Sequence, residues 1–94
     1  MRIHFSGIGG IGASGLAHFC LSLGHTVQGS DLSRGEIWPI LETLNIKLFE
    51  KQVSANISEN LDLVVYSEAV PLTNPELIRA RELNIPIKTY FEYS

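Results

Sequence analysis

A run of glycines near the start of the chain constrains its fold more than any other feature. Five of them fall between residues 7 and 15, at Gly7, Gly9, Gly10, Gly12 and Gly15. Glycine weakens strands and helices alike, yet this run joins an apolar strand over residues 2–6 to a helix over residues 11–23. The spacing Gly-x-Gly-x-x-Gly between a strand and a helix is typical of a turn whose backbone approaches a phosphate. We therefore predict a phosphate site at the start of the first helix; the alternative is a turn whose glycines serve packing alone.

The rest of the chain alternates between strand and helix patterns. We predict further strands over residues 26–30, 47–49, 61–66 and 85–89, and further helices over residues 36–44 and 74–83. Gly24 is a C-terminal cap of the first helix, and the order Asn74, Pro75, Glu76 marks the start of the last one. Such alternation predicts an α/β fold, a Rossmann-like doubly wound sheet of five parallel strands in the order 3-2-1-4-5.

Two further segments belong at the same end of this sheet. Asp31 follows the second strand about 20 residues after the glycines, where an acidic residue binds ribose hydroxyls; the alternative is a cap of the next turn. Ser67 and the backbone around Ala69 follow the fourth strand, which flanks the switch point of the sheet. We expect them to face the glycine loop, the alternative being an ordinary strand-to-helix connection.

Composition excludes several other classes of protein. The chain has 94 residues, a net charge of −3 and a single cysteine, Cys20. That length suits one domain, the scattered Lys and Arg form no nucleic-acid patch, and no apolar run could span a membrane. The sequence contains no Gly-x-x-x-x-Gly-Lys-[Ser/Thr] P-loop, and its three histidines have no metal-ligand spacing. We expect a cytoplasmic domain, with Cys20 in its core and no metal.

Four blocks of sequence, in order and in register, resemble the N-terminal domain of the bacterial Mur ligases. They are HFSGIGGIGASGLAHF, GHTVQGSDLS, LVVYSEAV and NPELIRARELNIPI. The resemblance implies that residues 1–94 form the UDP-sugar-binding domain of a three-domain ligase, and that the chain is an N-terminal fragment of it. It also implies binding of the UDP part of UDP-N-acetylmuramate in peptidoglycan synthesis. ATP and Mg²⁺ would be held by the central domain, so the fragment alone would have no cofactor and no ligase activity. The full enzyme would join L-alanine to the lactyl carboxylate through an acyl phosphate.

The resemblance also implies a set of UDP-binding residues. The pyrophosphate loop and two further segments of the family's pocket correspond to Gly9, Gly10, Ile11, Gly12, Ala13, Ser14, Asp31, Ser67, Glu68 and Ala69. No catalytic residue is expected in this chain. Its sequence departs from the family pattern at Ser6, Ala13, Trp38 and Glu68, and an additional carboxylate at Glu68 would repel a pyrophosphate.

Two other functions remain open on the sequence. The glycine motif with Asp31 is also compatible with a nicotinamide-dinucleotide-binding domain of a dehydrogenase or of a regulatory module. A related ligase acting on UDP-muramyl-peptides is the third possibility. The SEAV and NPE segments after the fourth strand favour a Mur ligase over a dinucleotide domain, which has no need of that pairing. A ligase acting on UDP-muramyl-peptides is less favoured, because its glycine loop usually differs.

Overall fold

The computed structural model describes residues 1–93 and contains a single five-stranded sheet. Its strands are β1 (Arg2–Ser6), β2 (Thr26–Ser30), β3 (Lys47–Phe49), β4 (Leu63–Tyr66) and β5 (Ile87–Thr89). The helices are α1 (Ile11–Ser22), α2 (Trp38–Glu42), α3 (Pro75–Glu82) and α4 (Tyr90–Tyr93), and a 3₁₀ turn covers Ser54–Asn56. All strands pair in parallel in the order β3-β2-β1-β4-β5, which confirms the predicted topology.

The helix termini follow the local sequence signals. Gly24 follows Leu23, the C-cap of α1, and has a φ of +88°, in the left-handed conformation that glycine adopts without strain. At α3, the side chain of Asn74 accepts a hydrogen bond from the backbone N–H of Glu76 at 2.9 Å, and Pro75 occupies the first helical position. Both ends therefore lie where the sequence predicts them.

Helix α2 is shorter than predicted, five residues in place of nine. A helix beginning at residue 36 would put Pro39 at its fourth position, where the first intrahelical N–H is needed, and proline has none. The helix begins instead at Trp38, so that Pro39 lies in its first turn. Strands β4 and β5 also begin two residues later than predicted, and Pro86 precedes β5. The 3₁₀ turn and α4 were not predicted.

The two faces of the sheet are covered by different helices. Helices α1, α2 and α4 pack on one face, over an apolar cluster that includes Ile3, Phe5 and Val65. Helix α3 packs on the other face, where Val64 and Leu77 belong to a second and smaller apolar cluster. Because successive residues of a strand point to opposite faces, His4 and Ser6 of the central strand lie on the α3 side. None of the helices described for residues 1–93 has the length and hydropathy needed to cross a bilayer.

Candidate functional site

The carboxyl ends of three neighbouring strands meet at one edge of the sheet. Ser6, the last residue of β1, pairs with Ser30 of β2 and with Tyr66 of β4. The backbone N–H groups of Gly7 and Ile8 both donate to the carbonyl of Ser30, at 2.8 and 3.0 Å. The chain leaves β1 toward one face and β4 toward the other, so a crevice opens between them, as expected at the switch point of a doubly wound sheet.

Gly7 is the residue that lets the chain turn sharply at this edge. Its φ is +88°, a conformation that other residues adopt only with strain. A Cβ atom built on Gly7 would lie 2.9 Å from Cβ of Ser67, closer than unstrained carbon atoms approach. The first glycine of the motif therefore meets two requirements: a left-handed turn and close contact with the segment that follows β4.

A cleft of about 300 Å³ lies above these strand ends. It is lined by Gly7, Gly10, Asp31, Leu32, Gln52, Ser67, Ala69 and Val70. The structure thus brings the glycine turn, the residue after β2 and the segment after β4 to one cleft, and four of the predicted site residues line it: Gly10, Asp31, Ser67 and Ala69. Leu32 and Gln52 were not predicted to line the cleft.

The N-terminus of α1 opens beside this cleft without a side-chain cap. Gly10 is the residue before the first helical turn, has an extended backbone, and carries no capping side chain. The backbone N–H groups of Ile11, Gly12 and Ala13 have no intrahelical acceptor, because the first turn of any α-helix leaves its amides unpaired. Together with the partial positive charge of the helix terminus, they form the kind of site that binds phosphate.

Ser14 contributes to the helix itself rather than to this set of free amides. Its N–H donates to the carbonyl of Gly10 at 2.8 Å, and its hydroxyl donates to the carbonyl of Ile11 at 2.9 Å. The side chain of Ala13 is buried, whereas that of Ile11 is 81% exposed. Of the predicted loop residues, Ile11, Gly12 and Ala13 therefore offer unpaired backbone N–H groups to a ligand, whereas Ser14 does not.

Asp31 contacts the glycine loop directly. Its Oδ2 accepts a hydrogen bond from the N–H of Gly9 at 2.8 Å, and its Oδ1 accepts one from the N–H of Ser33 at 3.0 Å. A Cβ atom on Gly9 would lie 2.7 Å from Oδ2, so the second glycine is needed for this approach. Asp31 therefore caps the following turn and also lines the cleft; its predicted contact with a ribose stays a prediction.

Gly12 faces an aromatic ring that the sequence did not place there. A Cβ atom on Gly12 would lie 2.9 Å from Cε2 of Tyr90 and 3.0 Å from its Cζ. Tyr90 begins α4, which packs beside α1 after β5. The third glycine of the motif therefore allows helix-to-helix packing at the C-terminal end of the described chain.

The segment after β4 forms the opposite wall of the cleft. Ser67 donates its N–H to the carbonyl of Ser6 at 3.0 Å, and its Oγ accepts from the N–H of Ala69 at 3.2 Å. Ser67 and Ala69 both line the cleft. Glu68 lies between them and is exposed. The tight turn at Ser67 thus holds this wall against the end of β1.

A buried cluster of polar side chains lies directly beneath the cleft, on the α3 face of the sheet. The Oε1 atom of Glu76 accepts hydrogen bonds from Nε2 of His4 at 2.8 Å, from Oγ of Ser6 at 2.7 Å and from Oγ of Ser30 at 2.7 Å. Its Oε2 accepts from Nδ2 of Asn56 at 2.7 Å. His4, Ser6, Ser30 and Glu76 are each at most 1% exposed. One carboxylate thereby connects α3 to the ends of β1 and β2 and to the 3₁₀ turn.

Burial raises the pKa of the Glu76 carboxyl, but the hydrogen bonds from His4, Asn56 and Ser6 outweigh it and set the pKa below its ordinary value. The Nδ1 atom of His4 accepts from Nε2 of Gln28 at 2.8 Å, which assigns the ring proton to Nε2, facing Glu76. Glu76 is therefore a buried carboxylate whose charge is compensated by four donors.

This cluster was missed at the sequence level, although one signal was present. Glu76 was interpreted only as part of the start of the last helix, after Asn74 and Pro75. Central strands of a doubly wound sheet normally consist of apolar residues, yet β1 and β2 carry polar residues at alternate positions, His4 with Ser6 and Gln28 with Ser30. Polar residues with a period of two in two central strands indicate a buried polar group on one face.

The other side chains that the sequence offers for chemistry or ligand contact, those of Cys20, Trp38 and His18, lie outside the cleft. Cys20 is fully buried, burial raises the pKa of its thiol, and Sγ donates to Oη of Tyr93 at 3.9 Å. Trp38 packs in the core with 4% exposure, whereas His18 is exposed. Within residues 1–93, no three His, Cys, Asp or Glu side chains converge as metal ligands. Since the sequence also has no P-loop, the residues present do not fit ATP or Mg²⁺.

The sequence and the fold both match proteins of one family. A family profile described as "Mur ligase family, catalytic domain" matches residues 2–93. UDP-N-acetylmuramate–L-alanine ligase of Clostridium kluyveri is 42% identical over 92 residues, which cover 98% of this chain and 20% of that protein. The corresponding ligase of Geotalea daltonii is 50% identical over 86 residues, covering 92% of this chain and 19% of that protein. The chain spans about a fifth of the length of these relatives.

Two solved structures of ligases have the same fold as this chain. The crystal structure of UDP-N-acetylmuramate–alanine ligase from Thermotoga maritima superposes with a TM-score of 0.92 at 40% identity, over 99% of this chain and 21% of that one. The ligase for UDP-N-acetylmuramate and L-alanyl-γ-D-glutamyl-meso-diaminopimelate from Neisseria superposes with a TM-score of 0.87 at 26% identity, over 98% of this chain and 29% of that one.

Proposed function

The chain belongs to the Mur ligase family, and from that premise we propose that its 94 residues form the domain that binds the UDP part of UDP-N-acetylmuramate. The domain would serve a cytoplasmic ligase of peptidoglycan synthesis that joins L-alanine to the lactyl carboxylate. ATP and Mg²⁺ would be held by other domains of that ligase. The observation that carries this proposal is the uncapped N-terminus of α1, whose free amides open beside the switch-point cleft.

The proposed binding mode follows from the chemistry of the cleft walls. The diphosphate would accept hydrogen bonds from the N–H groups of Ile11, Gly12 and Ala13, because these are unpaired and carry the positive end of the helix dipole. Ser67 and Ala69 would enclose it from the opposite wall. The nucleoside would extend past Asp31 toward the end of β3, the direction in which a ribose lies in such folds. The exposed Glu68 would remain in solvent.

Three relatives favour the alanine-adding reaction over a peptide-adding one. Both curated relatives described above, and the Thermotoga structure at 40% identity, are named as alanine ligases, whereas the Neisseria ligase with a peptide in its name is 26% identical. Since this chain spans only about a fifth of those proteins, the choice of amino acid would be made by residues elsewhere in such ligases.

The proposal is tested at Gly10, which accepts a side chain without strain. Its backbone is extended, with φ −73° and ψ 148°, and a Cβ atom would meet no atom nearer than 3.8 Å. Gly10→Asp places a carboxylate at the start of α1, a favourable cap for the helix that repels a phosphate. Gly10→Asn is the matched control, with the same shape and capping ability but no charge.

Calorimetric titration with UDP, UDP-N-acetylmuramate and NAD gives the result. We expect the parent chain to bind both uridine ligands more tightly than NAD, and Gly10→Asp to bind them at least about tenfold more weakly than Gly10→Asn, the effect of about 1.4 kcal/mol of repulsion. Tighter binding of NAD would support the dinucleotide domain instead. Equal binding by the Asp and Asn variants would contradict a diphosphate at this helix terminus.

A further inference from the structure

Gln52 forms part of the cleft wall on the side where the proposed nucleoside would lie. It follows β3 by three residues, is half-buried, and lines the cleft with Asp31 and Leu32. Gly7 and Gly10 line the cleft on the phosphate side. In folds of this type the ribose lies at the end of the second strand, so a residue beyond it, after β3, is placed to contact the base.

The orientation of the Gln52 amide is set by two hydrogen bonds in series. The N–H of Glu76 can only donate, and it donates to Oδ1 of Asn74 at 2.9 Å. The other end of the Asn74 amide is therefore its donor, Nδ2, which bonds to Oε1 of Gln52 at 2.9 Å. Glu76 is fully buried and held by four side chains, so the position of its N–H, where the series begins, is fixed. Gln52 must therefore turn its carbonyl oxygen to Asn74.

The amino group of Gln52 is consequently the polar end left for the cleft. Within residues 1–93 no acceptor is paired with Nε2 of Gln52, and an amide nitrogen of this kind carries two donor hydrogens. Rotating the amide to present its oxygen instead would place Nε2 against Nδ2 of Asn74, two donors facing each other. The chain therefore offers a fixed hydrogen-bond donor at this point of the wall.

We infer that Gln52 selects a pyrimidine base with a carbonyl oxygen at its fourth position, and rejects one with an amino group there. The inference rests on the proposed function, because it assumes that the base extends along this wall. A uracil O4 atom accepts from Nε2 of Gln52. A cytosine N4 amino group is a donor, and in the same place it leaves two donors unpaired. Gln52 is thus a specificity-determining residue, and Asn74 is a positioning residue that acts through it.

The variant Asn74→Asp tests this inference, because residue 74 then accepts a hydrogen bond from Gln52 instead of donating one, and it still caps the helix. Aspartate caps helices as well as asparagine does, so its Oδ1 still accepts from the N–H of Glu76. Its Oδ2 can only accept, so Gln52 must now donate Nε2 to it and turn Oε1 toward the cleft. The cleft wall then offers an acceptor, which suits cytosine N4. Asn45→Asp, at an exposed position, is the matched control for the added charge.

The measurement is the ratio of dissociation constants for CDP and UDP, obtained by calorimetry on the 94-residue chain. One neutral hydrogen bond corresponds to a ratio of about five to ten. We expect the parent and Asn45→Asp to prefer UDP by about that factor, and Asn74→Asp to lose the preference or reverse it. Gln52→Leu should bind both nucleotides with about equal affinity.

The outcomes separate this inference from the proposed function. If the parent binds neither UDP nor CDP, the proposed function fails and the inference fails with it. If the parent binds UDP but binds CDP equally well, the proposed function stands and the inference is wrong. The inference is also wrong if Asn74→Asp, shown by circular dichroism to be folded, keeps the parent's ratio.

Discussion

Oδ2 of Asp31 accepts a hydrogen bond from the backbone N–H of Gly9 at 2.8 Å, so the residue after β2 fastens the glycine loop that follows β1. The second oxygen of the same carboxylate holds the N–H of Ser33. Asp31, which the sequence predicts as a ribose contact, thus accepts hydrogen bonds from two backbone N–H groups of the chain itself. Substitutions at Asp31 should therefore alter the loop as well as any contact with a ligand.

For Asp31→Ala we expect a loss of about 1–2 kcal/mol in the free energy of unfolding, because two hydrogen bonds to a half-exposed carboxylate disappear. UDP binding should weaken as well, since the hydrogen bond that holds the glycine loop at Gly9 is lost. Asp31→Asn retains one accepting oxygen and should recover part of both losses. Urea denaturation and calorimetric titration measure the two effects. An Asn variant that binds UDP as poorly as the Ala variant would indicate that the ligand contacts the carboxylate itself.

The glycines of α1 should respond in opposite ways to alanine. At Gly12 a Cβ atom would lie 2.9 Å from the Tyr90 ring, so the ring must move in Gly12→Ala, and the chain should be destabilised by about 1 kcal/mol. At Gly15, in the same helix, a Cβ atom meets nothing within 4 Å, so Gly15→Ala should stabilise it by about 0.5–1 kcal/mol through helix propensity. Thermal denaturation of the two variants gives the comparison.

A double variant shows whether the Tyr90 ring is the cause. Removing the ring with Tyr90→Ala costs packing by itself, but it also removes the clash. Gly12→Ala should therefore destabilise the Tyr90→Ala background much less than it destabilises the parent. Equal effects in the two backgrounds would show that the third glycine is needed for another reason, such as its backbone conformation.

Glu76→Gln should destabilise the chain by about 2–4 kcal/mol at neutral pH. The variant replaces a buried carboxylate that accepts four hydrogen bonds with an amide that has one accepting oxygen. Glu59→Gln, at an exposed site, is the matched control and should change the free energy of unfolding by less than about 0.5 kcal/mol. Urea denaturation followed by circular dichroism supplies both values.

The Glu76 carboxyl should also make the free energy of unfolding depend on pH in the acidic range. The folded pKa of Glu76 lies below its ordinary value of 4.5, so the ionised form contributes stability above that pH and the contribution is lost as the pH falls through the folded pKa. The free energy of unfolding should therefore decrease below about pH 4.5, and decrease less steeply in Glu76→Gln. Parallel curves for the parent and the variant would show that other carboxyl groups cause the acid dependence.

The purified chain should show no ligase turnover. Its sequence has no P-loop, and residues 1–93 hold no cluster of metal ligands, so it offers ATP no site of a recognised type. We expect no phosphate release from ATP with UDP-N-acetylmuramate and L-alanine above the rate without protein. Turnover that persists after chromatography and disappears with Gly10→Asp would contradict this expectation.

Local chemistry in the sequence determined the sheet order and the position of the cleft. Alternation of apolar strands with helices specifies a parallel sheet, and its handedness leaves few topologies. The turn at Gly7 and the cap at Asn74 depend on residues close in sequence, so their positions were predictable. Because the cleft opens where β1 and β4 end, the places of Gly10, Asp31, Ser67 and Ala69 in its walls followed from the topology.

Contacts between residues far apart in the chain were decided only by the tertiary structure. Glu76 meets Ser6 across 70 positions, Gly12 meets Tyr90 across 78, and Gln52 owes its orientation to Asn74 across 22. A single sequence shows that a residue is polar, but it does not show which polar group faces it after folding. Burial removes water as a partner, so each of these groups takes the donor, acceptor or space that the packed strands and helices leave beside it.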